Sequence, residues 1–453
     1  MKRTHIGELR SHVGSTVSIN ALVDVRRDQG KMAFFDLRDR TGSIQGVVFG
    51  KPDVLEVAKK VSEESAVTIE GVVNQRPEKM VNEKVQNGDI ELEITAITIL
   101  NKAEPLPFAL DSEYSIEVRL DNRPYTLKSK RDRAIFTVQS EVTRAYGEYM
   151  RSQGFTEFQS PKFVGGDAEG GSAVFKVPYF RGTTAYLASS PQLYKQILVG
   201  SLERVFSFAT AFRAEKSATT RHLSEYTSLD AEMGFIDDHH DVMRVLTDLM
   251  RSLCMHLEQN AAAELSLLDV PLPKVPGEGD LFPYMKLREA QELIKEKTGV
   301  DKTSEPDLEP EDERWLCEYA HRELGSDFIF ITHYPTAKRP FYTYEDEADP
   351  GFTKSFDLLF RGVEITTGGQ RVHDHEELIA RMQAKGLEPE KFKFYLQAFK
   401  YGIPPHGGWG MGLERLTQKI CGLDNVKEAT LFPRDINRID LFTSTTQSDE
   451  AEL

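Results

Sequence analysis

The sequence predicts an α+β protein in two parts: a small five-stranded β-barrel, then a larger domain in which an antiparallel sheet is flanked by helices. Three observations carry that expectation. Short β-rich runs separated by turn clusters fill residues 1–103. From about residue 131 a long amphipathic helical pattern takes over, and strands then alternate with helices without regular βαβ periods. Charge divides the same way: residues 1–103 carry 15 Lys and Arg against 15 Asp and Glu, whereas the whole chain has a formal net charge of -16.

The first part contains the runs Ser15–Asp24, Met32–Arg38, Ser43–Phe49, Ala66–Val73 and Ile90–Leu100, five strands in all. Asp53–Val61 has helical spacing and falls between the third and fourth runs, where a five-stranded barrel of OB type carries its helix. Residues 104–130, with prolines at 105, 107 and 124 and many charges, are expected to connect the two parts. The helix that starts near Ala134 is expected to end near Gly154. The larger domain is expected over 131–440, and the polar, acidic residues 441–453 are expected to form a disordered tail.

At 453 residues and 40% hydrophobic content the chain exceeds a single small module and can bury a sizeable core. No apolar run approaches the ~20 residues of a membrane span, and no apolar segment follows the basic start, so a cytoplasmic protein without membrane contact is expected. Cys254, Cys317 and Cys421 are far apart and form no CxxC, which favours buried free thiols over disulfides or a thiolate zinc site. The acidic balance argues against a uniformly positive nucleic-acid surface and leaves local binding open.

Four constellations could carry chemistry. Arg204–Glu215 and Glu225–Phe235 read as strands flanking a basic loop, with Arg213 at the inner end of a strand, where a bidentate grip on phosphate is possible. The same pattern suits a solvated hairpin with surface ion pairs. In Leu358–Arg371, strand alternation puts Glu364 on a face with Thr366 and lets Arg371 return after Gly368-Gly369; a carboxylate near hydroxyls suits Mg2+, and a buried Glu-Arg pair suits it equally. In Pro404–Ile420 a Gly-rich strand leads to Arg415 early in a helix, where backbone can approach a ligand and anions are favoured. Ser190 and Pro191 open a helix with Lys195 one turn in, a position that taken alone reads as an ordinary surface lysine. His239-His240 and His373-Asp374-His375 lack a spaced third ligand and read as solvated loops. No GxSxG elbow is present for a serine triad.

Together these motifs resemble the class II aminoacyl-tRNA synthetases, and within them the aspartyl branch (class IIb) in its short archaeal-type form, some members of which charge both tRNA(Asp) and tRNA(Asn). The resemblance spans about residues 1–437. Gly154-Phe-Thr-Glu-Phe-Gln-Ser-Pro looks like motif 1, Phe212-Arg-Ala-Glu with Arg221-His-Leu and Tyr226 like motif 2, and Gly410-Met-Gly-Leu-Glu-Arg like motif 3. It implies an ATP-dependent aspartate-tRNA ligase, a homodimer through motif 1, an N-terminal OB-fold anticodon-binding domain and a class II catalytic domain.

The resemblance also implies roles. Arg213 would hold the ATP α-phosphate and the amino acid's α-carboxylate, and His222 and Arg415 the distal phosphates. Adenine would lie between Tyr226, or its neighbourhood, and Arg415. The ATP site would further take in Ala214, Glu215, Arg221, Leu223, Glu364, Gly412, Leu413 and Glu414. Glu364 would coordinate Mg2+ with the hydroxyl of Thr367, where the family pattern has Ser. Lys195 and Arg371 would bind the aspartate side-chain carboxylate, with Glu169 and Gln192 at the α-amino end; an asparaginyl enzyme would lack the lysine at 195. Phe34 and Gln45 match positions that stack on and hydrogen-bond the anticodon, and alternation requires one of Phe34 and Phe35 to face inward, the outward one being Phe34. A non-catalytic RNA-binding protein on the same frame would be expected to have lost Arg213, Glu364 or Arg415, and all three are present.

Overall fold

A computed structural model describes residues 2–83, 85–166, 173–216, 219–277 and 279–439. The chain divides into two units, Met1–Ser112 and Glu113–Leu453. No helix among the described residues is long and apolar enough to cross a membrane.

The first unit is a closed barrel of β1 (Thr16–Gln29), β2 (Met32–Asp39), β3 (Gly42–Phe49), β4 (Ala66–Gln75) and β5 (Ile90–Asn101), with helix α1 (Pro52–Ala58) between β3 and β4. Closure follows the order β1-β2-β3-β5-β4, all antiparallel except a short parallel contact of β3 with β5. The alternating apolar residues of these strands explain why it closes: Val17, Ile19, Phe35, Leu37, Ile44, Val48, Val67, Ile69, Leu92 and Ile94 point inward to one core. Phe35 is buried and Phe34 partly exposed, as alternation requires. The register opposes Asp36 to Gln45 and Phe34 to Val47, so Phe34 and Gln45 share the barrel's outer face on neighbouring strands.

In the second unit, α2 (Ile116–Asp121), α3 (Arg123–Thr126) and α4 (Lys130–Ser152) precede β6 (Thr156–Glu157) and the small sheet of β7 (Phe163–Val164), β8 (Lys176–Pro178) and β9 (Thr184–Leu187). There follow α5 (Gln192–Leu202), β10 (Arg204–Phe212), β11 (Glu225–Gly234), α6 (His239–Asn260), α7 (Ala262–Leu267), β12 (Tyr284–Lys286), α8 (Leu287–Thr298), α9 (Pro310–Glu323), β13 (Phe328–Thr332), β14 (Ser355–Phe360) and β15 (Val363–Arg371). The described chain closes with α10 (His375–Ala384), α11 (Lys393–Lys400), β16 (His406–Gly412) and α12 (Leu413–Ile420). The main sheet runs β12-β13-β14-β15-β16-β11-β10-β6. Its centre is antiparallel, and only the edge pairs β12/β13 and β10/β6 are parallel. On one face the apolar sides of α4 (Ile135, Val138, Val142, Tyr146) and α6 (Val242, Leu246, Leu249, Leu253) bury Leu229, Ala231, Trp409 and Met411 of the sheet. The opposite face of the central strands carries the polar residues that form the site.

The connecting stretch differs from the expectation. Residues 116–126 are helical, and Arg119 donates to both oxygens of the buried Asp132 at 2.9 and 2.8 Å, so they belong to the second unit. The cause is a long-range ion pair invisible to local composition, which registered only prolines and charge. The three cysteines are free and buried, as expected. The expected acidic tail, 441–453, lies outside the described residues.

Candidate active site

The strand register places the site's polar residues. Across four adjacent strands, Asp357 of β14 opposes Thr367 of β15, Thr367 opposes Gly410 of β16, and Gly410 opposes Asp230 of β11. Directly opposed residues share a face, so this row, and the parallel one through Ser355, Gly369, Gly408 and Glu232, point the same way. The glycines of β16 leave this floor low. A Cβ on Gly408 would lie 2.3 Å from a Glu232 carboxylate oxygen and 2.1 Å from the Ala231 carbonyl, which no side chain can do. Above the floor is a cavity of about 410 Å³, in the size range of roughly 300–1,000 Å³ typical of small-molecule sites. Six Lys and Arg side chains against four carboxylates line it, a local positive excess in an acidic chain.

Most of the residues expected from the sequence meet in this cavity. Gln192, Arg213, Glu215, Arg221, His222, Leu223, Tyr226, Glu364, Thr367, Arg371, Gly412, Glu414 and Arg415 all line it. Arg213 leaves the end of β10 with its guanidinium 5.6 Å from the centre of the Tyr226 ring and 3.8 Å from Glu215. His222 lies 3.5 Å from the same Glu215. Arg221 donates to Glu313 at 3.0 Å and to the Gly362 carbonyl at 3.2 Å. Arg415, in the first turn of α12, donates to the Glu364 carbonyl at 3.1 Å. Glu414 is turned to β11, where it accepts the Thr227 N–H at 3.0 Å, and burial pushes its carboxyl up to about 7.

Other expected residues lie elsewhere. Ala214 and Leu413 do not line the cavity: Ala214 bonds through its N–H to the Ala173 carbonyl at 2.8 Å, and Leu413 is a core residue. Glu169 lies outside the described residues. Helix α5 starts one residue later than expected, at Gln192, whose N–H donates to the Ser190 hydroxyl at 3.1 Å. Lys195 is not a surface lysine but is 0% exposed, behind the cavity wall. Its ammonium is 2.7 Å from Asp230, 2.7 Å from the Trp409 carbonyl and 3.3 Å from Glu232. Arg371 reaches the cavity while donating to Glu232 at 2.9 Å and to the Gly408 carbonyl at 3.0 Å. Burial works against the charge of Glu232, and Arg371 and Lys195 overcome it, holding its carboxyl below the ordinary value.

Alternation along β15 is broken by a bulge between the pairs Leu358/Thr366 and Leu359/Glu364. Contrary to the simple period-2 expectation, Glu364 therefore shares its face with Thr367, whose hydroxyl donates to it at 2.8 Å, while Thr366 is buried away from the cavity. Sequence reasoning missed the partners across the floor. Asp357 is nearly buried and accepts from Arg339 at 2.8 Å, yet its Oδ1 has no hydrogen-bond partner among the described residues. Burial, with Glu364 adding to it against the pull of Arg339, pushes the Asp357 carboxyl up to about 6. A lone Asp in the apolar run Ser355–Phe360 was the available signal, as was the polar period Tyr226, Ser228, Asp230, Glu232 along β11. An orphaned carboxylate oxygen beside Glu364 and a hydroxyl is an all-oxygen donor set that fits a hard divalent cation such as Mg2+.

The family model described as "tRNA synthetases class II (D, K and N)" matches residues 115–436. The chain belongs to this family. A second model, the OB-fold nucleic acid binding domain, matches residues 17–100 of the same synthetase chain. Among its relatives are the aspartate--tRNA(Asp/Asn) ligase of Thermus thermophilus, 43% identical over 96% of this chain and 99% of that protein, and the aspartate--tRNA(Asp) ligase of Thermoplasma volcanium, 39% identical over 97% of this chain and all of that one. The solved asparaginyl-tRNA synthetase of Pyrococcus horikoshii with asparaginyl-adenylate superposes with a TM-score of 0.88 at 31% identity, covering 97% of this chain and 99% of the other.

His406, at the start of β16 behind Glu232, gives the site a measurable pH signature. Its ring satisfies two bonds in one neutral tautomer, Nδ1–H to the Pro404 carbonyl at 2.9 Å and Nε2 accepting from Gln196 at 2.9 Å. Burial drives its pKa down to about 4. Because the folded-state pKa is depressed, the unfolded chain takes up a proton first as pH falls from about 6.5, and stability drops by about 3 kcal/mol on reaching pH 4. Urea midpoints measured at the two pH values for the protein and for His406→Gln should differ by that contribution, and equal slopes would refute it.

Proposed function

We propose that this synthetase is an aspartate-tRNA ligase, which activates L-aspartate with ATP to aspartyl-adenylate and transfers the aspartyl group to the 3' end of tRNA(Asp) and also of tRNA(Asn). The observation that carries the amino-acid choice is the buried quartet Lys195, Arg371, Asp230 and Glu232 at one wall of the cavity. Arg371 presents a cation there, with Lys195 behind it. Glu232 holds Arg371 in place, and the guanidinium edge that lines the cavity can be met by both oxygens of a substrate carboxylate, whereas the asparagine amide sets its own NH2 donor against it, a mismatch of polar groups in a desolvated site that gives strong discrimination. The Thermus and Thermoplasma relatives, both named aspartate ligases, support aspartate, and the former, named for tRNA(Asp/Asn), supports both tRNAs.

In this reading ATP lies over the Gly-rich floor. Arg213 holds the α-phosphate and the α-carboxylate, His222 and Arg415 the distal phosphates, Tyr226 flanks the adenine, and Gln192 takes the α-amino end together with Glu169. Glu364 and Thr367, with Asp357 beside them, would hold Mg2+, which supplies charge neutralisation for the triphosphate when bound. The first step needs no general acid or base: the aspartate carboxylate attacks the α-phosphorus in line, the bond from that phosphorus to the bridging α,β oxygen breaks, pyrophosphate leaves, and the preorganised guanidinium groups of Arg213 and Arg415 stabilise the charge that develops. The barrel reads the anticodon through Phe34 and Gln45 on its outer face, the ring stacking on a splayed base. The protein works in the cytoplasm as a homodimer.

The deciding experiment is aminoacylation by the purified protein with labelled aspartate, using tRNA(Asp) and tRNA(Asn) transcripts separately and asparagine as the control amino acid. Aspartate should be attached to both and asparagine to neither. Charging with asparagine would overturn the amino-acid assignment; charging of tRNA(Asp) alone would overturn the dual tRNA choice.

A further inference from the structure

The segment Asp237-Asp238-His239-His240-Asp241 opens α6 and is not the solvated loop that its composition suggests. Nor is His373-Asp374-His375, which caps α10 through the Asp374 carboxylate accepting the Glu377 N–H at 2.8 Å. The two segments differ in one respect. His239 is only 2% exposed, and neither of its ring nitrogens has a hydrogen-bond partner among the described residues. A buried imidazole left that way is destabilising and calls for a cause.

Its neighbours point to one. The His240 ring is centred 4.2 Å away, and one potential ligand atom from each of Asp238, His239 and His240 lies within 4.8 Å of the others. Asp238 accepts the His240 N–H at 2.7 Å, and its carboxylate lies 3.1 Å from His240 Nδ1. His333, centred 5.4 Å from His239, is already held by Thr332 at 2.9 Å and Asp346 at 3.2 Å and serves as a wall. None of these residues lines the catalytic cavity.

We propose that Asp238, His239 and His240 form a binding site, separate from the catalytic cavity, for a divalent transition-metal ion of the zinc type. Two imidazoles and one carboxylate select such ions over Mg2+ and Ca2+, which take oxygen ligands. Metal–nitrogen bonds of roughly 2.0–2.1 Å need donors that stand close together, as one atom from each of these residues does, and a water can take the remaining position. The start of a helix is an unfavourable place for a cation. Three carboxylates, at Asp237, Asp238 and Asp241, offset it.

The test is Zn2+ titration of the full chain in excess Mg2+, read by competition with a chromophoric chelator, with Co2+ absorption in the visible as a second signal. One Zn2+ per chain is expected, with affinity lower by about 100-fold or more in His239→Phe and in His240→Ala, and unchanged in His375→Gln. His240 is the more exposed of the pair, so His240→Ala decides the matter even where His239→Phe does not fold. Zn2+ held equally well by the protein and by His240→Ala, or by neither, would overturn the site.

Discussion

Arg213→Ala is expected to lower aspartate-dependent ATP/pyrophosphate exchange by about 10³-fold, the scale on which a single preorganised donor to a developing charge acts. Arg213 stands at the end of β10, where the strand leaves the sheet beside Tyr226 and opposite the helix that presents Arg415. A guanidinium there can engage phosphate oxygens as a fork, which neither a methyl group nor a water can replace. Arg213→Lys retains the charge and loses the fork, so its exchange rate should fall between the two. Retention of tRNA on filters should change little in both variants, because the proposed anticodon contacts belong to the barrel. Unaltered exchange in Arg213→Ala would remove the proposed catalytic role of this cavity.

The second large effect is on stability. Glu232 is 0% exposed and faces both Arg371 at 2.9 Å and Lys195 at 3.3 Å. With Asp230 these make two buried cations and two buried anions. Glu232→Gln leaves one cation in excess, and breaking a buried pair from one side costs about 3–5 kcal/mol, a fall in melting temperature of roughly 5–10 °C for a unit of this size. Lys195→Met has the opposite imbalance. The double variant restores neutrality, with Arg371 and Asp230 remaining, so its loss should be smaller than the sum of the two single losses. Additive losses would show that the four groups act as independent packing residues. Charging of aspartate should fall in every one of these variants, since Arg371 loses its setting in each.

Much of this architecture is legible along the chain because it is local. The hairpin that carries Arg213, the Gly-rich strand ahead of Arg415 and the outward Phe34 follow from period-2 alternation, turn residues and a helix start within some twenty residues of sequence. What could not be read is of two kinds. One is a backbone irregularity: the bulge in β15 moves the Glu364 partner from Thr366 to Thr367, and nothing in Val363–Arg371 announces it. The other is pairing between distant segments. Arg119 and Arg123 fold onto Asp132 and the chain near Glu428, turning an apparent connector into part of the second unit. Asp357, Arg339 and Asp230 join the site only because β14, β15, β16 and β11 lie side by side.

Sequence alone determined the barrel, the class of the second domain and the residue types able to grip a nucleotide, since each rests on patterns a few residues long. Tertiary structure decided which charges are spent and which remain for a ligand. Lys195 and His239 show the difference: each reads as a solvated polar residue, and each is buried, one among carboxylates and the other with no hydrogen-bond partner for its ring among the described residues. The cost of desolvating a charged or polar group depends on what the rest of the fold brings to it, and that is not written in its own neighbourhood.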